Sequence, residues 1–150
     1  MSRVLFVTHP EVNVDPGVPV PDWELTPRGR DRMRQFAEGP DARDIAAIWS
    51  SRERKAADAA AILAEHVGVP VRALEQLAEN DRSTTGYLPP ELFEPAVQAF
   101  FRDPLLSHRG WETAAAAQQR IADAIETVLA RSPEGDVAIV SHGGVGTLLL

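Results

Sequence analysis

The 150-residue sequence predicts an α/β fold in three layers, with a mostly parallel sheet between helices on both faces. Three observations carry that prediction. Short β-branched apolar runs alternate along the chain with helix-length amphipathic segments, the pattern of strands joined by crossover helices. Two of those runs, at opposite ends of the chain, each stop at a histidine, as expected where an open α/β sheet binds ligands beyond its strand ends. The length suits one domain over residues 1–150 with its own core and is short for two.

The first strand is expected over Arg3–His9 (RVLFVTH), a compact β-branched and aromatic run of the kind that a buried parallel strand requires. Glu11 to Trp23 is a loop, punctuated by Pro16, Pro19, Pro21 and the Asp15-Pro16-Gly17 turn signal. Thr26 and Pro27 have the form of an N-cap and first helical residue, and that helix runs through Phe36 until Gly39-Pro40 stops it. Asp44–Trp49 (DIAAIW) is the second strand. Ser50 and Glu53 then show capping-box spacing and open a helix with Ala56, Ala60, Leu63 and Val67 on one face and Gly68 as its stop. Val69–Leu74 is the third strand, and residues 78–90 are polar and turn-rich. A helix from about Glu91 to Arg102 follows, with Leu92, Ala96, Ala99 and Phe100 as its apolar positions. The longest helix is expected from near Trp111 to near Arg131, turning Ala114, Ala117, Ile121, Ile125 and Val128 to the core. Pro133-Glu134-Gly135 leads into a last strand, Asp136–Ser141 (DVAIVS), and Val145 begins a terminal helix. That helix has less than two turns before Leu150, which raises the expectation of a C-terminal continuation in the natural protein.

Composition narrows the function classes. A 44% hydrophobic, 25% charged chain is ordinary for a globular domain. The net charge of −7, from 22 acidic and 15 basic residues, opposes a nucleic-acid partner, whose phosphates require clustered cations. A small phosphorylated ligand needs a few local cations and stays compatible. With no cysteine, disulfides, thiolate metal sites and cysteine nucleophiles are eliminated. Val4–Val7 is too short for a signal-peptide core and no run approaches a membrane span, so a cytoplasmic location and no membrane partner are expected. The oligomeric state is not encoded legibly.

The two strand-end histidines are His9, after LFVT, and His142, after VAIVS. They lie 133 positions apart, yet parallel neighbouring strands bring such residues into one pocket. Gly143-Gly144 after His142 lets the backbone approach an anion, and the next helix offers free N–H groups and the positive end of its dipole. Two unrelated histidines at strand ends are the plain alternative. His66, on a polar helical stretch, and His108, in a loop, have no comparable placement. Gly143-Gly144-Val145-Gly146 lacks the third glycine of a dinucleotide fingerprint and stands at the wrong end of the chain.

In order along the chain stand Thr8-His9-Pro10, Leu25-Thr26-Pro27-Arg28-Gly29, Ser50 to Ala56, Leu77-Ala78-Glu79 and Ser141-His142-Gly143-Gly144. These motifs resemble those of the histidine phosphatase (phosphoglycerate mutase-like) superfamily. Its pattern is Arg-His-Gly, Leu-Thr-x-x-Gly, Ser-Ser-x-x-x-Arg-Ala, Leu-x-Glu and Ser-His-Gly-Gly. Gly110-Trp111-Glu112-Thr113 further resembles the Gly-Glu-Ser segment opening the long helix of many members. The resemblance implies a phosphoglycerate mutase-like fold and a phosphatase that needs neither metal nor cofactor and acts on a small phosphorylated substrate. It implies His9 as the nucleophile that becomes phosphohistidine, His142 as the neighbour binding the transferring phosphoryl group, and Glu79 as the general acid. A histidine near its reference pKa of ~6.5 is largely neutral at pH 7 and keeps a free lone pair. A protonated second imidazole would donate to the phosphoryl oxygens, and a metal site from His9, His142 and Glu79 is set aside because both histidines are already explained.

Two clamp positions depart from the pattern. Thr8 stands where the family has arginine before the nucleophile, and Lys55 where it has the second arginine. Neither reproduces a planar bidentate fork, and each such loss costs on the order of 10²–10³ in rate. Arg52, Arg54 and Arg82 lie near the motif loops as substitutes, Arg82 first, since Arg52 and Arg54 read as solvated helix-face charges. The phosphate-binding set is therefore Lys55, Thr8, Gly143 and Arg82. Asp81 competes with Glu79 for the acid role, and Glu11 shapes the pocket rim. Trp23, Tyr87 and Trp111 are candidates to line the pocket or to be ordinary packing. Three readings stay open: a phosphatase, a degenerate member that binds a phosphorylated ligand or a protein partner without turnover, and a phosphomutase.

Overall fold

The computed structural model describes residues 2–150. Strands β1 (Val4–Thr8), β2 (Ile45–Ser50), β3 (Val71–Ala73) and β4 (Asp136–Ser141) form one all-parallel sheet in the order β1-β4-β2-β3. The helices are α1 (Pro27–Glu38), α2 (Arg54–Val67), α3 (Pro90–Arg102), α4 (Ala114–Arg131) and α5 (Gly143–Thr147). The strands alternate their side chains between two cores. Ile48, Ala138 and Val140 pack with Met33 of α1 and Leu63 of α2, while Trp49, Val137 and Ile139 pack with Phe100 of α3 and Ile121 and Val128 of α4. The expected three layers are present. Covered on both faces, β4 is buried along its whole length, which is why DVAIVS is nearly continuous in apolar residues. Its one charge, Asp136, is buried against Arg3, accepting 2.8 Å hydrogen bonds from the Arg3 backbone N–H and Nε, and this pair ties the start of β1 to the centre of the sheet.

Most element ends follow local chemistry that the sequence displays. Thr26 Oγ1 accepts the Gly29 N–H at 2.9 Å and caps α1. Gly29 has no alternative, because a Cβ there would run into the Glu11 carbonyl. Gly68 ends α2 in the left-handed region at φ +75°, as its position suggested.

Four expectations need correction. The Ser50–Glu53 capping box does not form: Ser50 completes β2, α2 starts at Arg54, and Ser51 Oγ takes the Glu53 N–H at 3.1 Å. α4 starts at Ala114, because Thr113 caps it by accepting the Ala116 N–H at 3.1 Å. Trp111 lies buried ahead of that helix and donates Nε1–H to Thr85 Oγ1 at 2.9 Å. On α3 the buried positions are Ala96 and Phe100, whereas Leu92 is exposed. β3 shortens to three residues, consistent with Pro70, which has no N–H to give the ladder. Among the described residues no helix is long and apolar enough to cross a membrane.

Ile139 is fully buried between β1 and β2 at the middle of β4. Its truncation, Ile139→Ala, is expected to cost about 2–5 kcal/mol through lost transfer energy and an unfilled cavity. Urea unfolding reads this as a lower midpoint at unchanged slope.

Candidate active site

Thr8 and Ser141 pair directly across β1 and β4, so the next residue on each strand, His9 and His142, leaves the sheet at the same edge. The His9 N–H donates to the Ser141 carbonyl at 3.1 Å, carrying the ladder one step past β1. The two ring centroids lie 5.2 Å apart, with planes at 65°, close to the ~4.8 Å that separates neighbouring strands. Parallel register is thus the reason these distant imidazoles face each other.

The His9 tautomer follows from its partner. Nδ1 lies 2.9 Å from the Pro10 carbonyl, which only accepts, so Nδ1 carries the proton and Nε2 keeps its lone pair. Burial, helped by the charge of Lys55, pushes the ring below the usual histidine range, so it is neutral at pH 7.

His142 is fully buried. Its Nε2 lies 3.0 Å from Glu53 Oε2 and 2.9 Å from Ser51 Oγ. The carboxylate accepts, so Nε2 carries the proton, and among the described residues Nδ1 has no hydrogen-bond partner. Burial, with smaller contributions from the charges of His9, Lys55 and Arg82, drives its pKa down to about 3 despite the pull of Glu53. In the protein alone at neutral pH, His142 is therefore uncharged, and donation from a protonated second imidazole would need an anion beside it.

Glu53, passed over in the sequence as half of a capping box, is the centre of the charge network. Its Oε1 takes Lys55 Nζ at 3.0 Å, and Oε2 takes the Glu79 backbone N–H at 2.9 Å besides His142. Burial raises its pKa, but the charges of His142 and Lys55 and the Glu79 N–H outweigh that and hold it below the usual carboxylate range. Because His142 is neutral at pH 7, Lys55 is the lasting counter-charge. Lys55 is itself buried and also donates to the Val20 carbonyl at 2.9 Å, so the replacement for the second clamp arginine is already engaged.

Glu79 accepts the N–H groups of Gly144 and Val145 through Oε2 and Oε1, both at 2.9 Å, and the Asn80 N–H at 3.0 Å. The N–H groups of α5 that the sequence offered to a bound anion thus hold this carboxylate, and a Cβ on Gly144 would collide with it. Arg120 of α4 was not singled out in the sequence. Its guanidinium takes the carbonyls of Gln76, Ala78 and Glu79 and pairs with Glu112, which fixes the loop carrying Glu79. No motif spacing marks it: besides Glu112, its partners are backbone carbonyls 41 to 44 positions away.

A cavity of about 1000 Å³ opens over His9, Glu53, Lys55, Glu79 and Arg82. Arg82 is half-buried, stacked over Phe93 and Trp111 at 5.1 and 5.6 Å, and makes no hydrogen bond or ion pair among the described residues. Of the phosphate-binding candidates, Lys55 and Arg82 line the cavity, whereas exposed Thr8 and Gly143 do not. Arg52 is exposed outside the cavity, and Arg54 pairs with Glu24. Asp81 lines the wall but is held below its ordinary pKa by hydrogen bonds from Ser83, which suits an acceptor more than a proton donor. Glu11 Oε1 accepts from Thr26 Oγ1 at 2.7 Å, bracing the loop base.

Residues 4–150 match the family model of the histidine phosphatase superfamily, branch 1. The chain belongs to that superfamily. No curated protein matches it significantly. Among solved structures, a mycobacterial glucosyl-3-phosphoglycerate phosphatase superposes with a TM-score of 0.84 at 24% identity, over 99% of this chain and 77% of the other. Its complex with inorganic phosphate gives 0.84 at 25% identity over the same shares. YhfR of Bacillus stearothermophilus gives 0.79 at 22% identity, over 99% and 78%. These likenesses establish a phosphoglycerate mutase-like fold for this member of the superfamily.

Two measurements probe the network. Glu53→Gln keeps the shape but removes the negative charge, and is expected to tighten binding of inorganic phosphate or vanadate at least tenfold in isothermal titration; unchanged or weaker binding would show that Glu53 does not compete with an anion. The second concerns stability. The folded pKa of His142 lies below its unfolded value, so the unfolded chain takes up the proton first as pH falls. The contribution of His142 to stability is whole above about pH 6.5 and drains toward pH 3, at up to about 1.4 kcal/mol per pH unit. Between pH 6.5 and 5, above most carboxylates, urea midpoints are expected to fall, and less steeply in His142→Asn.

Proposed function

We propose that this histidine phosphatase hydrolyses a small phosphomonoester through a phosphohistidine on His9. The observation that carries the reading is the neutral His9 ring, its Nδ1–H donated to the Pro10 carbonyl and its Nε2 lone pair unspent, 5.2 Å from a second imidazole. Nε2 attacks phosphorus, and the N–P bond forms as the bond from phosphorus to the leaving oxygen breaks. Glu79, as the carboxylic acid, protonates that oxygen: Oε2 accepts one backbone N–H and has a second lone pair to carry the proton. Water then attacks the phosphohistidine, returns its proton to Glu79, and phosphate leaves with His9 neutral again. Arg82 and Lys55 supply fixed positive charge to the phosphoryl oxygens, and the incoming dianion offsets the burial that keeps His142 unprotonated.

A specific observation favours a second reading. Thr8 is exposed outside the cavity and Lys55 is tied to Glu53, so neither clamp position presents a free cation. A member in this condition binds phosphate without turning over an ester.

Incubation with a phosphodonor is expected to leave an acid-labile, alkali-stable phosphate on His9, located by peptide mapping. Native protein is expected to hydrolyse an aryl phosphate between pH 5 and 8 above His9→Ala, and kcat/KM is expected to hold below pH 6.5 because the His9 pKa is depressed. Phosphate binding with no label and no hydrolysis above that variant would favour the second reading.

A further inference from the structure

The substrate class can be read from the charge balance and the walls of the cavity, an inference that rests on the phosphatase reading. Six acidic side chains line the cavity (Glu53, Glu75, Glu79, Asp81, Glu94 and Glu112) against three basic ones, Lys55, Arg82 and Arg120. Two of the three cations are committed: Lys55 to Glu53 and the Val20 carbonyl, Arg120 to Glu112 and three carbonyls. Arg82 is left as the unengaged cation among the lining residues described. One free guanidinium and one half-neutralised ammonium suffice for a single phosphoryl group. A second anion on the substrate, a carboxylate or another phosphate, meets no free counter-charge and the carboxylates of Glu75, Asp81 and Glu94, unpaired among the described residues. Desolvating it there is unfavourable.

The rest of the wall is apolar and aromatic. Trp23 and Tyr87 approach each other from separate loops, ring centroids 6.0 Å apart and tilted by 58°. The Trp23 Nε1–H is satisfied within its own loop by the Asp15 and Val18 carbonyls at 2.9 and 3.1 Å, so the indole presents surface and no polar demand. Its ring centroid lies 5.9 Å from Lys55 Nζ, which places the aromatic wall directly beside the phosphoryl end. Phe93, beneath Arg82, and Leu88 add to the apolar lining. Half-buried aromatic surface of this kind rewards a flat apolar ligand.

We infer that the site takes a phosphomonoester whose leaving group is uncharged and apolar, best an aromatic ring, and discriminates against substrates that carry a second anion. The test is isothermal titration of the full-length His9→Ala protein, which cannot consume ligand, with 1-naphthyl phosphate, 3-phosphoglycerate and inorganic phosphate, alongside native kcat/KM for the two esters. The naphthyl ester is expected to bind at least tenfold tighter than inorganic phosphate, and 3-phosphoglycerate no tighter than inorganic phosphate. Tyr87→Ala and, separately, Trp23→Ala in that background are expected to erase most of the naphthyl advantage while leaving inorganic phosphate binding unchanged. Binding of 3-phosphoglycerate as tight as that of the naphthyl ester or tighter, with turnover by the native protein, overturns the inference and leaves the phosphatase reading standing. If no compound binds and none is turned over, both fall. A naphthyl advantage that survives both aromatic truncations also overturns the inference.

Discussion

Pairing of β1 with β4 is the constraint on which the rest of this molecule depends. The two segments come from opposite ends of the chain, and their register, Thr8 against Ser141, decides that His9 and His142 leave the sheet side by side. Burial of β4 on both faces and the Arg3–Asp136 pair at its start hold that register. A slip of one residue would invert every side chain of one strand between the two cores and separate the imidazoles.

Around that pair the protein assembles a compact electrostatic balance. Glu53 is half-surrounded by donors: the Lys55 ammonium, the His142 ring and the Glu79 N–H. Buried charges persist only when partnered in this way. The network extends outward from there: Glu79 anchors the start of α5, and Arg120 anchors the loop that carries Glu79. The network rigidifies the site, and it also takes up donors that the family resemblance would assign to phosphate. Arg82 stands apart, held by aromatic faces instead of a carboxylate, with its N–H groups uncommitted among the described residues. A guanidinium stacked in this manner keeps its charge and its donor geometry available.

The places where the sequence misled share one cause. Ser50 and Glu53 have the spacing of a capping box, but β2 runs one residue further than expected, and the carboxylate finds Lys55 and His142 before its own backbone. Gly143-Gly144 suggested an open anion site, yet Glu79, 65 positions earlier than Gly144, already occupies those N–H groups. Arg120 showed nothing unusual along α4 because, apart from Glu112, its partners are carbonyls of a distant loop. Burial, likewise, is invisible locally: it is what leaves His142 neutral at pH 7.

The sequence by itself determined the layered α/β fold, the strands and most helix boundaries, and the two histidines at strand ends. Those features depend on hydrophobic period, caps and turns, which are properties of neighbouring residues. Tertiary structure alone decided which donors are spent, which cation remains uncommitted, and which imidazole nitrogen carries a proton. Those outcomes are set by contacts between side chains tens of residues apart and by the dielectric that burial creates around them.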